Sequence, residues 1–131
     1  MDEWTASFFP PAPHPFANSI ANKEWILVSG MVGVDAEGKL PESASEQARL
    51  ALRNIQALLE AQGSGLHEIV WMKTYVSERQ FAYEIDPVLR DELPEPKPAS
   101  GALVVVGLAD EQMKVEFEVW ARRSALLKVL G

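Results

Sequence analysis

Two stretches of the chain, Ile69-Val70-Trp71-Met72 and Leu103-Val104-Val105-Val106, are apolar at both alternating positions. Side chains of a strand point to opposite faces in turn, so a run without polar alternation asks for cover on both faces of its sheet. The rest of the sequence offers two helical patterns. In the first, Ser43 and Glu46 have capping-box spacing, and Ala48, Leu52, Ile55 and Leu59 recur at helical intervals until Gly63 and Gly65 end the pattern. In the second, Ser77 and Gln80 offer another capping box and Phe81, Ile85, Val88 and Leu89 form an apolar face. Asp86-Pro87 reads as an internal N-cap followed by proline at a first helical position, which divides this helix in two. Two helices cover one face of a sheet. Further copies of the chain are expected on the other, because soluble monomers seldom leave so large an apolar face in water.

The strands follow from β-branched and aromatic content between turn signals. Phe16–Ala21 and Trp25–Val34 are joined by the short connection Ala21-Asn22-Lys23-Glu24, and Asp35-Ala36-Glu37-Gly38 reads as a turn. Ile69–Val76, Ala102–Leu108 and Lys114–Ala121 complete the set, with Pro94-Glu95-Pro96-Lys97-Pro98 closing the second helix and Ala109-Asp110-Glu111-Gln112 turning the chain into the last strand. Pro10, Pro11, Pro13 and Pro15 make the beginning an extended arm, since each fixes φ and removes a backbone donor. The order β-β-α-β-α-β-β gives an α+β class: a five- or six-stranded sheet with two helices packed on one face. A length of 131 residues suits one domain spanning 1–131.

Nineteen acidic against 12 basic side chains give a formal charge of -7, which repels phosphate backbones and anionic membranes. Neither nucleic acid nor membrane is expected as a partner. Asp2 and Glu3 replace the basic start of a signal peptide, so the cytoplasm is the expected location. The absence of cysteine removes disulfides, thiol nucleophiles and Cys-ligated metals together. His14 and His67 are too far apart in sequence to form a metal motif, and no metal or cofactor is expected.

Among polar residues, Ser29 near a strand end lacks the flanks of a nucleophile elbow and reads as a packed strand serine. His67 sits in a loop, where a solvated side chain is the default. His14, boxed between Pro13 and Pro15, belongs to a segment stiff enough to aim a side chain. Glu116 and Glu118 share one face of the last strand with Lys114 and Trp120, while Val115, Phe117, Val119 and Ala121 occupy the other. If the Val/Phe set packs on the helices, the glutamates point toward the face that assembly covers, where partial desolvation raises a carboxylate pKa. Ion pairing with Lys114 or with a basic residue of another subunit is the alternative.

The proline-rich arm, the strand ending in Val28-Ser29-Gly30, the helix bearing Arg53-Asn54-Ile55, the Lys97-Pro98-Ala99 segment and the closing Val115-Glu116-Phe117-Glu118-Val119-Trp120-Ala121 together resemble the RidA (YjgF-like) family. Each motif is weak alone; their joint order spans most of the chain. The resemblance implies a chorismate-mutase-like α+β fold, a homotrimer with its sheets facing inward, and three small-molecule clefts between subunits. It also implies cofactor-free hydrolysis of enamines or imines to release ammonia. The family's cleft residues fall on Phe16 in place of a tyrosine, Ser29 and Gly30, Asp86 or Ile85 in place of an asparagine, Ser100 in place of an arginine, and Glu116. A serine hydroxyl cannot reproduce the bidentate fit of a guanidinium to a carboxylate, which points away from simple amino-acid-derived imines. Phe16, Met31, Trp71 and Trp120 suggest a more apolar cleft suited to an uncharged ligand. Lys97 and Arg53 are the cations that could stand in for the lost guanidinium. The competing reading is a non-catalytic trimer that binds a ligand or a protein on the same scaffold; RNA cleavage is disfavoured by the acidic charge.

Overall fold

The computed structural model describes residues 3–9 and 14–124. Pro10, Pro11 and Pro13 of the expected arm lie outside the described residues. The chain forms β1 (Thr5–Ser7), β2 (Ser19–Ala21), β3 (Trp25–Met31), α1 (Ala44–Glu60), a single 3-10 turn (Leu66–Glu68), β4 (Ile69–Val76), α2 (Arg79–Glu92), β5 (Ala99–Ser100), β6 (Val104–Val105) and β7 (Val115–Arg122). These strands make one mixed sheet in the order β1-β2-β3-β7-β4-β5, with β6 also paired to β4. The two helices pack on one face, as expected of the α+β class.

Helix α1 starts where the sequence places it: Ser43 is the N-cap and its hydroxyl accepts from the Glu46 amide at 3.1 Å. Its apolar stripe, including Leu52, Ile55, Leu58 and Leu59, is fully buried against the sheet together with Ile26, Val115, Phe117 and Val119. Gln47 lies in that core with its amide fully used, donating to Pro41 O at 2.8 Å and Gln112 O at 2.9 Å and accepting from Lys114 N at 2.8 Å. It ties the loop before α1 and the turn before β7 to the helix. Gly33 lets the chain after β3 pass close to α1, since a Cβ there would sit 2.1 Å from the Gln47 carbonyl oxygen.

Several expectations are corrected. Helix α2 is continuous through Pro87. Pro87 is on the exposed side, so the carbonyl it leaves without an amide donor, that of exposed Tyr83, can be solvated. Asp86 does not cap; its carboxylate takes the Arg90 Nε at 2.6 Å, one turn on. Nor does Ser77 begin the helix, because its amide continues the sheet by donating to Lys114 O at 3.1 Å; the N-cap is Glu78, without a side-chain bond. The expected strand Ala102–Leu108 shrinks to β6, preceded by the separate β5, and both run parallel to β4 at the sheet edge. The expected strand Phe16–Ala21 shortens to β2, because Ala17 and Asn18 turn their carbonyls to Ser29. A short β1, which the proline-rich character of the arm concealed, pairs outside β2.

The apolar run Ile69–Met72 has a more local cause than burial on both faces. A register shift between Ile69 and Trp71 puts Ile69 and Met72 in the core and leaves Val70 and Trp71 exposed.

Candidate functional site at the open sheet face

Alternation along β7 sends Val115, Phe117, Val119 and Ala121 into the helix-covered core and Glu116, Glu118 and Trp120 to the open face. The neighbours then follow from register. Glu116 lies opposite Tyr75 and Glu118 opposite Lys73 on β4. On the other side, β3 bulges between Val28 and Met31. This irregularity brings Gly30 under Glu116: a Cβ on Gly30 would lie 2.4 Å from Glu116 Oε2 and 2.6 Å from Cδ. Glycine leaves the carboxylate this place, since any side chain here would push it aside.

Burial raises the pKa of Glu116 above the usual carboxylate value, and the nearby charge of Glu118 raises it further. The Tyr75 phenol is pushed up to about 12, first by its hydrogen bond to Glu118, then by burial and by the charges of Glu118 and Glu116. Two carboxylates, a protonated phenol and the Lys73 ammonium thus share one patch. Such a patch can hold a water and offer it a proton acceptor, and the burial that raises its pKa makes Glu116 the candidate for that role. Tyr75 and Lys73 were not singled out from sequence; the signal was present in the polar side chains of β4, but their face could not be counted through the shift near Val70.

The other sequence candidates divide between locations. Ser29 donates its hydroxyl to Ala17 O at 2.7 Å and its amide to Asn18 O at 2.8 Å, so it anchors the segment that carries Phe16. Phe16 is 71% exposed, and its ring lies 6.4 Å from that of His14. Met31 goes to the core, because the bulge turns it to the helix side beside Phe117. Ser100, the partner of Met72 on β4, lies on the α2 side and borders a groove there with Leu89, Arg90 and Lys97; Asp86 borders the adjoining part. Within one chain, then, Ser29, Gly30 and Glu116 form one group and Asp86 and Ser100 another.

Neither cation considered as a substitute for the missing guanidinium is free. Lys97 Nζ donates to the carbonyls of Arg90 and Leu93, closing the end of α2, and Arg53 binds Glu92 at 2.5 Å between the helices. Among the described residues, no group of three or more histidine, cysteine or carboxylate side chains is placed to hold a metal ion, and no helix is long and apolar enough to cross a membrane.

The fold of the described residues is shared with solved structures. RidA from the Antarctic bacterium Psychrobacter superposes with a TM-score of 0.80 at 27% identity, covering 86% of this chain and 92% of that one. A YjgF-family member from Neisseria meningitidis gives 0.80 at 21% identity over 92% and 95% of the two chains, a likeness of fold. The sequence profile described as Endoribonuclease L-PSP matches residues 9–123. The chain belongs to this RidA/YjgF family. Mitochondrial protein mmf1 of Schizosaccharomyces pombe is 32% identical over 79% of this chain and 65% of its own length, so the match leaves about a third of that relative uncovered. The Escherichia coli protein named as putative reactive intermediate deaminase TdcF is 28% identical over 88% of this chain and 92% of its own.

Proposed function

We propose that this family member, acting as one domain over residues 1–131, is a cofactor-independent hydrolase of small imines or enamines that releases ammonia. The observation that supports this most directly is Glu116, half-buried over Gly30 with a raised pKa. Hydrolysis of an iminium needs a base to take a proton from water as its oxygen adds to the C=N carbon. The same proton, returned to nitrogen, lets the C–N bond break with release of ammonia, while the carboxylate so freed takes the hydroxyl proton and a carbonyl is left. One carboxylate whose pKa is raised by burial is better able to hold the proton between the two steps. The names of the RidA and TdcF relatives agree with this class of reaction.

The cleft is completed, on this reading, by a neighbouring subunit in a homotrimer with inward-facing sheets. The support is an apolar row that crosses the open face from Ala6 through Ile20, Leu27, Trp120 and Trp71 to Ala99, each opposite the next. Trp120 is 50% and Trp71 36% exposed in the single chain, a combination that costs free energy in water unless another surface covers it. An intersubunit cleft would also bring the Glu116 group of one copy to the Asp86 and Ser100 group of another. The acidic charge makes RNA a poor fit despite the family's endoribonuclease description, and a cytoplasmic location goes with the same proposal.

Ammonia release from imines generated in the assay, compared with the spontaneous rate, tests the chemistry; sedimentation equilibrium tests the assembly. Acceleration by a trimer supports the reading. A trimer that binds small molecules but accelerates no imine would establish the non-catalytic alternative.

A further inference from the structure

The open face of β7 carries two carboxylates on alternate residues, and the strands beside it treat them differently. Glu116 leans toward β3, where its Oε2 fills the space over Gly30, while Glu118 faces Lys73 across the ladder to β4. Tyr75 is the residue opposite Glu116, yet its phenol is hydrogen-bonded to Glu118, one diagonal step along β7. Diagonal neighbours of an antiparallel pair lie within reach of a long aromatic side chain, and the lean of Glu116 toward Gly30 leaves the path open. Glu118 thus has a hydroxyl donor and faces a cation. Glu116 has neither, since among the described residues no donor meets its carboxylate. Beside the pair β3 presents Ser29 and Gly30, so Tyr75 and Lys73 of β4 are the titratable groups that the neighbouring strands turn toward the two glutamates.

Two like charges this close disfavour each other, and one proton relieves the repulsion. It falls to the carboxylate with no hydrogen bond to its charged form to lose. We propose that Glu118 is a positioning residue for the chemistry of Glu116: clamped by the Tyr75 hydroxyl and opposite Lys73, it keeps its charge beside Glu116 and confines proton exchange to that one carboxylate. The phenol, pushed up to about 12, stays a donor throughout the range in which carboxylates titrate. The raised pKa of Glu116, caused first by burial and then by the charge of Glu118, agrees with this division. The inference rests on the proposed function only for the use made of the proton; the relation between the two carboxylates needs no substrate.

The test is a carboxyl-carbon NMR titration of the intact protein, wild type against Glu118→Gln. Glutamine keeps the shape and an acceptor for the phenol but removes the charge. Side chains on alternate residues of a strand are about 6.6 Å apart, where two unit charges shift a protonation equilibrium about threefold even at the dielectric of water. In Glu118→Gln, Glu116 is therefore expected to release its proton at lower pH, its protonation constant reduced at least about threefold at low ionic strength, and Tyr75 to titrate below its wild-type value of about 12. Tyr75→Phe removes the clamp and leaves both carboxylates, so Glu118 should take up part of the titration that Glu116 carries alone in the wild type. A folded Glu118→Gln protein in which Glu116 titrates as in the wild type would overturn the proposal. So would a Tyr75→Phe protein in which Glu116 still takes the proton alone, and that variant, which loses a single hydroxyl, decides the matter should Glu118→Gln fail to fold. In turnover, the acid limb of the kcat/KM profile should move to lower pH with Glu116 in Glu118→Gln. The expected titrations in a protein without imine turnover would retain the role of Glu118 and reject the proposed reaction; turnover whose acid limb does not move in Glu118→Gln would do the reverse.

Discussion

Gly30→Ala separates the position of Glu116 from the stability of the fold. The added methyl would lie 2.4 Å from Oε2 and 2.6 Å from Cδ, whereas ordinary contact begins near 3.4 Å. The carboxylate must therefore move by about 1 Å, which it can do because it is the end of a flexible side chain on a half-exposed face. Overpacking of this kind costs little when the neighbour can swing away, and alanine lowers the entropy of the unfolded chain by about 0.4–1 kcal/mol, so net stability should change by less than about 1 kcal/mol. Misplacing a catalytic group by about 1 Å can cost about a hundredfold in rate. Ammonia release should fall by roughly that factor while the urea midpoint barely changes. Gly33→Ala is the contrast: its methyl would meet the Gln47 backbone at 2.1 Å, which cannot swing, and a loss of at least about 1–3 kcal/mol is expected. A folded Gly30→Ala protein with undiminished turnover would refute the placement of Glu116 at the reacting centre.

Gln47→Leu should destabilise the protein by about 1–3 kcal/mol in urea unfolding, because it takes the partner from the partly buried Pro41 O, Gln112 O and Lys114 amide; no change would show that water replaces the side chain at all three. In alkaline titration followed by phenolate absorbance, the difference between the wild type and Tyr75→Phe should isolate a phenol titrating near 12; a difference curve centred near 10 would remove the Glu118 hydrogen bond from the account. Glu116→Gln should alter the pH dependence of stability with a definite sign. The folded-state pKa is raised, so the wild type loses stability as pH rises from the unfolded value of 4.5 through the folded one, and the glutamine variant should gain on it across that window when thermal unfolding is compared at successive pH values. A wild type that gains on the variant over the same window would reverse the assigned environment.

Periodicity and capping carried most of the fold. Ser43, Glu46 and the Ala48–Leu59 spacing describe a helix whose start and buried face depend on nearest neighbours in sequence, and the structure keeps both. The β7 alternation was equally legible, because that strand is regular from Val115 to Arg122. Parity fails wherever one residue is added to a ladder. The bulge before Met31 reverses the face expected for that side chain, and the shift between Ile69 and Trp71 hid Tyr75 and Lys73 from a count along β4. Proline likewise misled at position 87, where helix continuity depends on which side of α2 faces water. Exposure and cross-strand register are long-range properties. The groove of Arg90 belongs to the same class, since its walls come from β4, α2 and the segment after it.

The role assigned to Glu116 is tested most directly by the pH profile of kcat/KM for ammonia release, measured for the wild type and Glu116→Gln with the same imine and corrected for spontaneous hydrolysis. The account predicts that wild-type activity rises as a group with a pKa above the usual carboxylate range loses its proton, and that the glutamine variant lacks this limb and is slower by about 10²–10⁴-fold while still folded. An identical profile and rate in the two proteins would contradict it.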